Sequence, residues 1–269
     1  MIDNMGKPIV TTSLSYSHQV VESAKSIASQ LGLSFVSRNG TSLTNMESGY
    51  NSTGILVVSK TKLSIYIKGE EFFFHPGMAK LRIKELVNGN TDLMIRAMDL
   101  RAGDMVLDCT LGLGSDAVVA NYVAGPTGTV VGLESNPLMA YVVQEGIKHY
   151  KDGNPALIKA IRGIKVINVD HRNYLRKLPD KSFDVVYFDP MFRNPLKKSP
   201  GMAPLRKLAN NDSISKETIN QALRVAKKCV VMKETAKSEE FTRLGFKKII
   251  GGKKSPIAYG VLLAGGEDL

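Results

Sequence analysis

Two short segments contain residue types whose spacing could support chemistry. The first, Asp108-Cys-Thr-Leu-Gly-Leu-Gly-Ser-Asp116, combines acids with two closely spaced glycines, and the second, Asp189-Pro-Met-Phe192, combines an acid with proline and an aromatic ring. Glycines let the backbone turn tightly and approach a ligand, and a helix that starts beside them attracts hydrogen-bond acceptors. An acid followed by proline and phenylalanine could hold an amino group while the ring stacks on a flat heterocycle. The two segments therefore predict a nucleotide-like cofactor and a group-transfer reaction.

The glycine segment by itself fits two kinds of cofactor. Gly112-x-Gly114-x-x-Ala117 matches the fingerprint of dinucleotide-binding loops, and Glu134, 20 residues after Gly114, suits the two hydroxyls of a ribose. A nicotinamide dinucleotide and S-adenosylmethionine both carry such a ribose. A dehydrogenase is therefore still an alternative if this segment is taken alone.

Three acidic positions favour S-adenosylmethionine. Asp108 precedes the loop, where its carboxylate can compensate the cationic sulfonium and ammonium groups. Asp170, beside His171 at the end of a later strand, is placed to accept a hydrogen bond from an adenine amino group. Asp189 opens a motif that a dehydrogenase has no reason to carry. We therefore predict an S-adenosylmethionine site without a metal ion, because the four histidines lack metal-ligand spacing.

The second segment resembles the [Asp/Asn]-Pro-Pro-[Tyr/Phe] motif of methyltransferases that modify amino groups conjugated to a π-system. The lone pair of such an amine is delocalised into the ring, so the nitrogen is a poor nucleophile. Asp189 and the Pro190 carbonyl can accept its N–H groups and favour a tetrahedral nitrogen, while Phe192 stacks on the base. Asp189, Pro190 and Phe192 are therefore the predicted catalytic residues.

Alternating strands and helices must position both segments. Apolar, β-branched blocks bounded by turn residues predict parallel strands at 105–109, 128–134, 165–169, 183–189 and 228–233. Helices are predicted at 115–123, 137–150, 172–178, 214–226 and 237–244. The last strands, 246–250 and 257–263, must be antiparallel because their link is too short for a crossover helix. The predicted fold class is α/β, a Rossmann-like methyltransferase sheet with an antiparallel last strand.

A small N-terminal α/β domain is predicted to precede this sheet. Residues 1–76 form that domain and residues 77–269 the methyltransferase domain, with the boundary near Pro76. Ser17 and Gly32 carry the start and stop signals of an amphipathic helix. Strands are predicted at 9–13, 34–37, 55–59 and 63–68, and one helical stretch is predicted from 78 to 100.

Positive charge is concentrated late in the chain. The formal net charge is +11, and residues 192–256 contain 16 Lys and Arg against 5 acids, while the rest of the chain is balanced. An excess that begins directly after the Asp189 motif predicts an RNA partner, with a solvated lysine-rich surface as the alternative. The acid-free loop 193–211 is expected to be mobile without substrate and to clamp phosphates. The RNA-binding residues predicted in it are Arg193, Lys197, Lys198, Arg206 and Lys207.

On these motifs, residues 104–233 resemble the ribosomal RNA small subunit methyltransferase J type, which methylates the 2-amino group of a guanine in small-subunit ribosomal RNA. The resemblance rests on the glycine segment, Glu134-Ser-Asn-Pro137, Tyr187-Phe-Asp-Pro-Met-Phe192 and Val230-Val-Met-Lys233. It departs at 74–82, which replaces a Gly-rich, Arg-containing stretch, and after Phe192. The cofactor residues that the motifs and the resemblance imply are Asp108, Thr110, Gly112, Gly114, Asp116, Glu134, Ser135, Asp170, His171 and Asp189.

Other readings of the same residues are a methyltransferase acting on DNA, on another RNA or on a protein glutamine, and an RNA-binding protein whose methyltransferase site is inactive. No segment has the ~20 consecutive apolar residues of a membrane helix, and residues 1–10 lack the apolar centre of a secretory signal. We expect a cytoplasmic enzyme with no membrane partner, acting on ribosomal RNA or a small-subunit particle. The sequence does not indicate an oligomeric state.

Overall fold

The structure, a computed structural model, describes residues 6–190, 212–251 and 255–265. Two sheets organise these residues, a five-stranded sheet in the N-terminal part and a seven-stranded sheet after it. None of the helices in these ranges is long and apolar enough to cross a membrane.

The first sheet combines a parallel half with an antiparallel half. Its strands lie in the order β2-β1-β3-β4-β5, where β1 is parallel to both of its neighbours and β4 is antiparallel to both β3 and β5. The strands are β1 (Ile9–Thr12), β2 (Ser34–Phe35), β3 (Ile55–Val58), β4 (Leu63–Ile67) and β5 (Glu70–Phe73).

Two helices cover opposite faces of the parallel half. Helix α1 (His18–Leu31) begins where the Ser17 hydroxyl accepts from the Val20 amide and ends at Gly32, which adopts the left-handed conformation at φ 64°. Helix α2 (Leu43–Gly49) joins β2 to β3. Val10 packs with the buried face of α1, whereas Ile9 packs with Met46 of α2. The connection from β1 to β2 and the connection from β2 to β3 therefore pass over opposite faces of the sheet.

The second sheet has the order β11-β12-β10-β9-β6-β7-β8, with β12 antiparallel to both neighbours and all other pairs parallel. This arrangement confirms the predicted fold class. The strands are β6 (Met105–Asp108), β7 (Thr129–Glu134), β8 (Lys165–Asn168), β9 (Phe183–Phe188), β10 (Ala226–Thr235), β11 (Lys248–Gly251) and β12 (Ile257–Leu263).

Helices bury apolar side chains on both faces of this sheet. Leu138, Met139 and Val142 of α6 pack against the first sheet, while Val143 and Ile147 of the same helix pack into the second core, so α6 is shared. The helices are α3 (Gly77–Val87), α4 (Leu93–Met98), α5 (Ser115–Ala124), α6 (Pro137–His149), α7 (Pro155–Arg162), α8 (His171–Leu175), α9 (Lys216–Val225) and α10 (Glu240–Leu244).

The local structure differs from the predictions in several elements. The single helical stretch from 78 to 100 is two helices, because the Asp92 carboxylate accepts from the Met94 and Ile95 amides and starts α4 anew. Strand β5 and helix α7 were not predicted. Helix α8 ends at Leu175, three residues before its predicted end. These differences leave the sheet that positions the site unchanged.

Candidate active site

The central parallel strands of the second sheet end side by side, and most of the predicted site residues follow those ends directly. A cleft opens at this edge. The predicted residues that line it are Thr110, Gly112, Glu134, Ser135, His171, Asp189 and Pro190. The carboxyl edge therefore brings together residues that are far apart in the sequence, as expected for an open α/β sheet.

The glycine loop between β6 and α5 has the backbone that its sequence predicts. Gly112 and Gly114 have φ values of 52° and 73°, which favour glycine, and Gly114 is the N-cap of α5. The Leu111 amide donates to the Leu133 carbonyl and ties the loop to the end of β7. The backbone around Gly112 thus forms one wall of the cleft.

Glu134 lies at the floor of the cleft beside this loop. It is buried, and its two oxygens accept from the Asn136 amide at 2.8 Å and the Gly112 amide at 3.3 Å. Burial raises the pKa of Glu134, and the backbone amides oppose that effect by favouring the carboxylate. A carboxylate has about four lone-pair sites, more than these backbone amides occupy, so Glu134 can also accept from a ribose hydroxyl.

Apolar side chains and one neutral ring form the other side of the cleft. The His171 ring packs edge-on against Phe188 with centroids 5.8 Å apart, and burial lowers the pKa of His171, which keeps the imidazole neutral at pH 7. The Asp212 carboxylate, which forms an ion pair with Arg172 at 3.1 Å, also lines this side. A mostly apolar slot of this kind suits a purine better than a second charged group. The apolar residues that line the slot are Leu133, Met139, Val169 and Ile214.

The surroundings of Asp170 differ from those that the sequence predicts. Its carboxylate caps α8 through the Arg172 amide and forms an ion pair with the Arg172 guanidinium at 2.7 Å. Hydrogen bonding to Arg172 lowers the pKa of Asp170 to about 2. Its side chain is absent from the described lining of the cleft, and contact with an adenine amino group is an expectation from the sequence alone.

Asp189 directly follows β9, and both its backbone amide and its carboxylate form hydrogen bonds. Its amide donates to the Thr110 hydroxyl at 2.6 Å, and its carboxylate accepts from the Lys233 ammonium of β10 at 2.8 Å. Pro190 follows it on the wall of the cleft. The acid of the Asp-Pro motif therefore has a fixed backbone and a charged partner.

Behind Asp189 lies a buried cluster of charges. Lys233 also donates to Asp116 at 3.1 Å, and the Tyr187 hydroxyl donates to the same Asp116 oxygen at 2.7 Å. Arg82 of α3 donates to Asp116 and forms an ion pair with Asp92 at 2.7 Å. Asp116, predicted to bind the cofactor, therefore anchors two cations behind the cleft and is not part of its described lining.

Burial and the neighbouring charges shift the pKa values of the three acids in different directions. Burial raises the pKa of Asp189 to about 6. The Lys233 ammonium acts to lower this pKa, but the negative charge of Asp116 offsets part of that effect. Burial raises the pKa of Asp108 to about 8, against the opposing hydrogen bond from the Thr110 amide. Burial also acts to raise the pKa of Asp116, but Lys233 and Arg82 outweigh it and the pKa falls.

The sequence interpretation gave no site role to Lys233 or Arg82. Lys233 directly follows the apolar run 229–232 and ends the predicted strand, so the sequence shows it only as a charge at a strand end, and its partners come from distant segments. Arg82 lies on an amphipathic helix, where nothing local marks it. Seven sequence predictions concern residues outside the described ranges: Phe192, Arg193, Lys197, Lys198, Arg206, Lys207 and the clamp loop 193–211.

The strand order, the antiparallel β12 and the glycine loop above a strand-end acid define the class of S-adenosylmethionine-dependent methyltransferases. A family model described as "Putative SAM-dependent methyltransferase" matches residues 42–256. The chain belongs to this family, and S-adenosylmethionine is its cofactor. The residues described above fit that ligand, because a buried acid can accept from a ribose and an apolar slot can hold a purine.

Two similar proteins support this assignment, and they differ in sequence identity and in how much of each chain is covered. The uncharacterized protein YpiP of Bacillus subtilis is 40% identical over 255 residues, covering 94% of this chain and 98% of that protein. Ribosomal RNA small subunit methyltransferase J of Coxiella burnetii (strain Dugway 5J108-111) is 32% identical over 153 residues, covering 54% of this chain and 56% of that protein. The chain thus spans little more than half the length of this second relative.

A solved structure shows the same fold over nearly the whole chain. The SAM-dependent methyltransferase NGO1261 from Neisseria gonorrhoeae matches with a TM-score of 0.63, covering 96% of this chain and 97% of that one. The two sequences are 20% identical. This match extends to the N-terminal sheet, since it leaves only a small part of the chain uncovered.

Proposed function

We propose that this protein methylates the exocyclic amino group of a guanine in small-subunit ribosomal RNA. The observation that carries the proposal is the position of Asp189 and Pro190 on the wall of the cleft, with the Asp189 carboxylate fixed by Lys233. The similarity to proteins named ribosomal RNA small subunit methyltransferase J supports ribosomal RNA as the substrate class.

The chain's own residues prepare the amine for reaction. The Asp189 carboxylate and the Pro190 carbonyl accept the two N–H groups of the base, which fixes the nitrogen and favours its tetrahedral form. Phe192 stacks on the base in this proposal. When bound, S-adenosylmethionine supplies a methyl group activated by a positively charged sulfur.

Ionisation of Asp189 is central to this role. A carboxylate accepts two N–H donors, whereas a carboxylic acid would present its own donor to the amine. Lys233 favours the ionised form, so a pKa of about 6 leaves most of Asp189 ionised at pH 7. A strong general base is unnecessary, because the nitrogen becomes acidic once it carries the methyl group and its proton can leave to Asp189 or water.

In the same proposal, cofactor binding uses the residues on the floor and walls of the cleft. Glu134 accepts from the ribose hydroxyls, the loop from Thr110 to Gly114 surrounds the amino-acid portion, and His171 lies against the adenine. Asp108 lies beneath this loop, where a cationic ligand would favour its carboxylate form. Ser135 and Asp170 complete the expected set.

The proposal is tested by methyl incorporation into defined substrates. Purified protein is incubated with radiolabelled S-adenosylmethionine and with naked small-subunit ribosomal RNA, assembled small subunits, DNA or a glutamine-containing protein extract. We expect label in one of the two ribosomal substrates only, and nucleoside mass spectrometry should identify N2-methylguanosine.

Analysis of cells provides the matching control. Ribosomal RNA from a deletion strain should lack one N2-methylguanosine that reappears when the gene is restored. Label in DNA or in protein glutamine would assign the same site to another substrate. Tight RNA binding without any methyl incorporation would instead support an RNA-binding protein with an inactive site.

A further inference from the structure

The first sheet contains an edge that the methyltransferase reaction does not use. Strand β1 lies between β2 and β3, and the helices that follow β1 and β2 pack on opposite faces. In open α/β sheets, ligands bind outside the carboxyl ends of the strands where the connections diverge in this way. Here that point is the loop of residues 13–17 between β1 and α1. We call this loop, together with Thr12 and Arg38, the N-terminal edge.

Arg38 places a buried positive charge at this edge without a counter-charge. Its side chain is 6% exposed, and its guanidinium donates to the carbonyls of Thr41 at 2.5 Å and Thr12 at 3.4 Å. Across the described ranges it forms no ion pair with an acid, and burial lowers its pKa. Burial of an uncompensated charge costs free energy, which an anionic ligand would recover.

Thr12 provides an unused hydroxyl at the same place. The residue is 1% exposed, and its Oγ1 finds no hydrogen-bond partner in the part of the chain that the structure describes. Thr12 shares its strand face with Val10, which packs against α1, so its hydroxyl lies on the α1 side of the sheet. The preceding residue, Thr11, is satisfied because its hydroxyl donates to the Val36 carbonyl at 2.7 Å.

Backbone amides complete the set of donors. Within the described residues, the amides of Leu14, Ser15 and Tyr16 have no protein acceptor. They lead to Ser17 and to the N-terminus of α1, a helix of 14 residues whose dipole favours negative charge. The sequence has no Asp or Glu in residues 4–21 or 23–46, so no nearby acid in these segments repels an anion.

We propose that the N-terminal edge binds a phosphate group. A guanidinium, a hydroxyl and a series of free amides are three kinds of donor, and a phosphate has enough oxygens to accept from all of them. The phosphate comes either from an RNA backbone or from a free phosphomonoester. The site is independent of the proposed methylation reaction and would exist even if that reaction had another substrate.

Thermal unfolding in inorganic phosphate tests the site. A ligand that binds only the folded protein raises the Tm, so phosphate should raise it relative to chloride at equal ionic strength. Arg38→Met and Thr12→Val should each lower the phosphate affinity roughly ten-fold or more, because each removes a donor to a charged acceptor. Lys159→Gln, which removes one charge from an exposed position on α7, is the matched control and should keep the wild-type response.

Thr12→Val separates a ligand site from a structural role. If the hydroxyl serves only the fold, the variant loses stability in chloride and keeps its phosphate response, and the proposal is overturned. If the hydroxyl awaits a ligand, the variant is at least as stable as wild type in chloride and loses the response. This outcome can be read even if Arg38→Met fails to fold. A wild-type Tm that ignores phosphate would also overturn the proposal.

NMR distinguishes the two sources of the phosphate. The amide signals of residues 14–19 are followed during titration with adenosine 5′-monophosphate and with a short RNA oligomer that lacks terminal phosphates. Shifts with the monophosphate alone assign a free phosphomonoester. Shifts with the oligomer, weakened by salt, assign backbone phosphates. Signals that move with neither ligand would contradict the proposal.

Discussion

Two carboxyl edges of parallel strands, one in each sheet, collect polar groups of opposite character. The edge of the second sheet gathers the buried acids Asp108 and Glu134 and the half-buried Asp189 beside a glycine loop. The N-terminal edge gathers Arg38 with a hydroxyl and backbone amides that have no partner within the described residues. The backbone geometry that creates a ligand site is shared, so the side chains at the strand ends decide which charge the ligand carries.

The two edges also stabilise their buried charges differently. At the second sheet, Lys233 and Arg82 compensate Asp116 and Asp189 within the protein. At the N-terminal edge, the partners of Arg38 in the part of the chain that the structure describes are backbone carbonyls. A compensated cluster can hold a catalytic acid in a defined ionisation state before any ligand arrives. An uncompensated charge obtains its partner from the ligand. Each of the following predictions tests one side of this contrast.

Replacing Asp189 should have the largest effect. Asp189→Ala removes the acceptor that fixes the amine, and we expect methyl incorporation to fall roughly 10²- to 10³-fold. Calorimetric titration with S-adenosylmethionine should show nearly unchanged affinity, and the phosphate response of the N-terminal edge should be intact. Wild-type turnover in this variant would remove Asp189 from the reaction.

Replacing the basic residues of the clamp loop should have the next largest effect, which is on RNA binding. Replacing Lys197, Lys198, Arg206 and Lys207 together by Ala should weaken binding. It should also make the slope of log affinity against log salt shallower by up to about 3 for a single-stranded substrate. Cofactor affinity should stay the same. If the slope does not change, the basic residues Lys247, Lys248, Lys253 and Lys254 become the next candidates.

The pH dependence of methyl transfer should reveal the role of Lys233. In the proposed reaction Asp189 acts as a carboxylate, and burial raises its pKa to about 6, so the rate should decline as the pH falls through 6. Lys233→Met removes the adjacent cation, raises the pKa of Asp189 and should move this decline to higher pH. Lys227→Met, an exposed position on the same strand, should leave the profile unchanged. Equal profiles in both variants would mean that Lys233 serves only the fold.

Asp108 gives a stability test of the acidic edge. Its folded pKa of about 8 lies above the ordinary aspartate value of ~3.9, so the folded protein holds a proton that the unfolded chain releases between these pH values. The free energy of unfolding should therefore fall as the pH rises from about 4 to 8. Asp108→Asn should flatten this decline in urea titrations, whereas an unchanged slope would show that Asp108 is ionised throughout.

The sequence predicted the sheet and the strand-end residues well, because both follow from local patterns. Apolar blocks fixed β6, β7 and β9, and residues just beyond a parallel strand must lie at its carboxyl edge. The positions of Glu134 and Asp189 at this edge were predicted for this reason. Helix α7 was missed although Asn154, Pro155 and Gly163 mark its ends, since its eight residues form a short pattern.

What could not be predicted depends on contacts between distant segments. Lys233 meets Asp116 and Asp189 only after the strands have paired, and Arg82 reaches Asp116 from a helix before the first strand of the sheet. The N-terminal edge was likewise invisible, because an unpaired hydroxyl can be recognised only when every possible partner has been placed. The role of Asp170 as a helix cap depended on Arg172, whose guanidinium folds back onto it.

The smallest predicted effect concerns how firmly α1 is anchored at the N-terminal edge. The Ser17 hydroxyl accepts from the Val20 amide at 3.4 Å, whereas the Ser215 hydroxyl at the start of α9 accepts from the Thr218 amide at 3.0 Å and also contacts the Thr218 hydroxyl. Ser215→Ala should lower the free energy of unfolding by about 1 kcal/mol, and Ser17→Ala by about 0.5 kcal/mol, because a longer hydrogen bond contributes less. Urea titration in phosphate-free buffer measures both. A larger loss in Ser17→Ala would mean that this serine supports the loop of residues 13–17 as well as the helix.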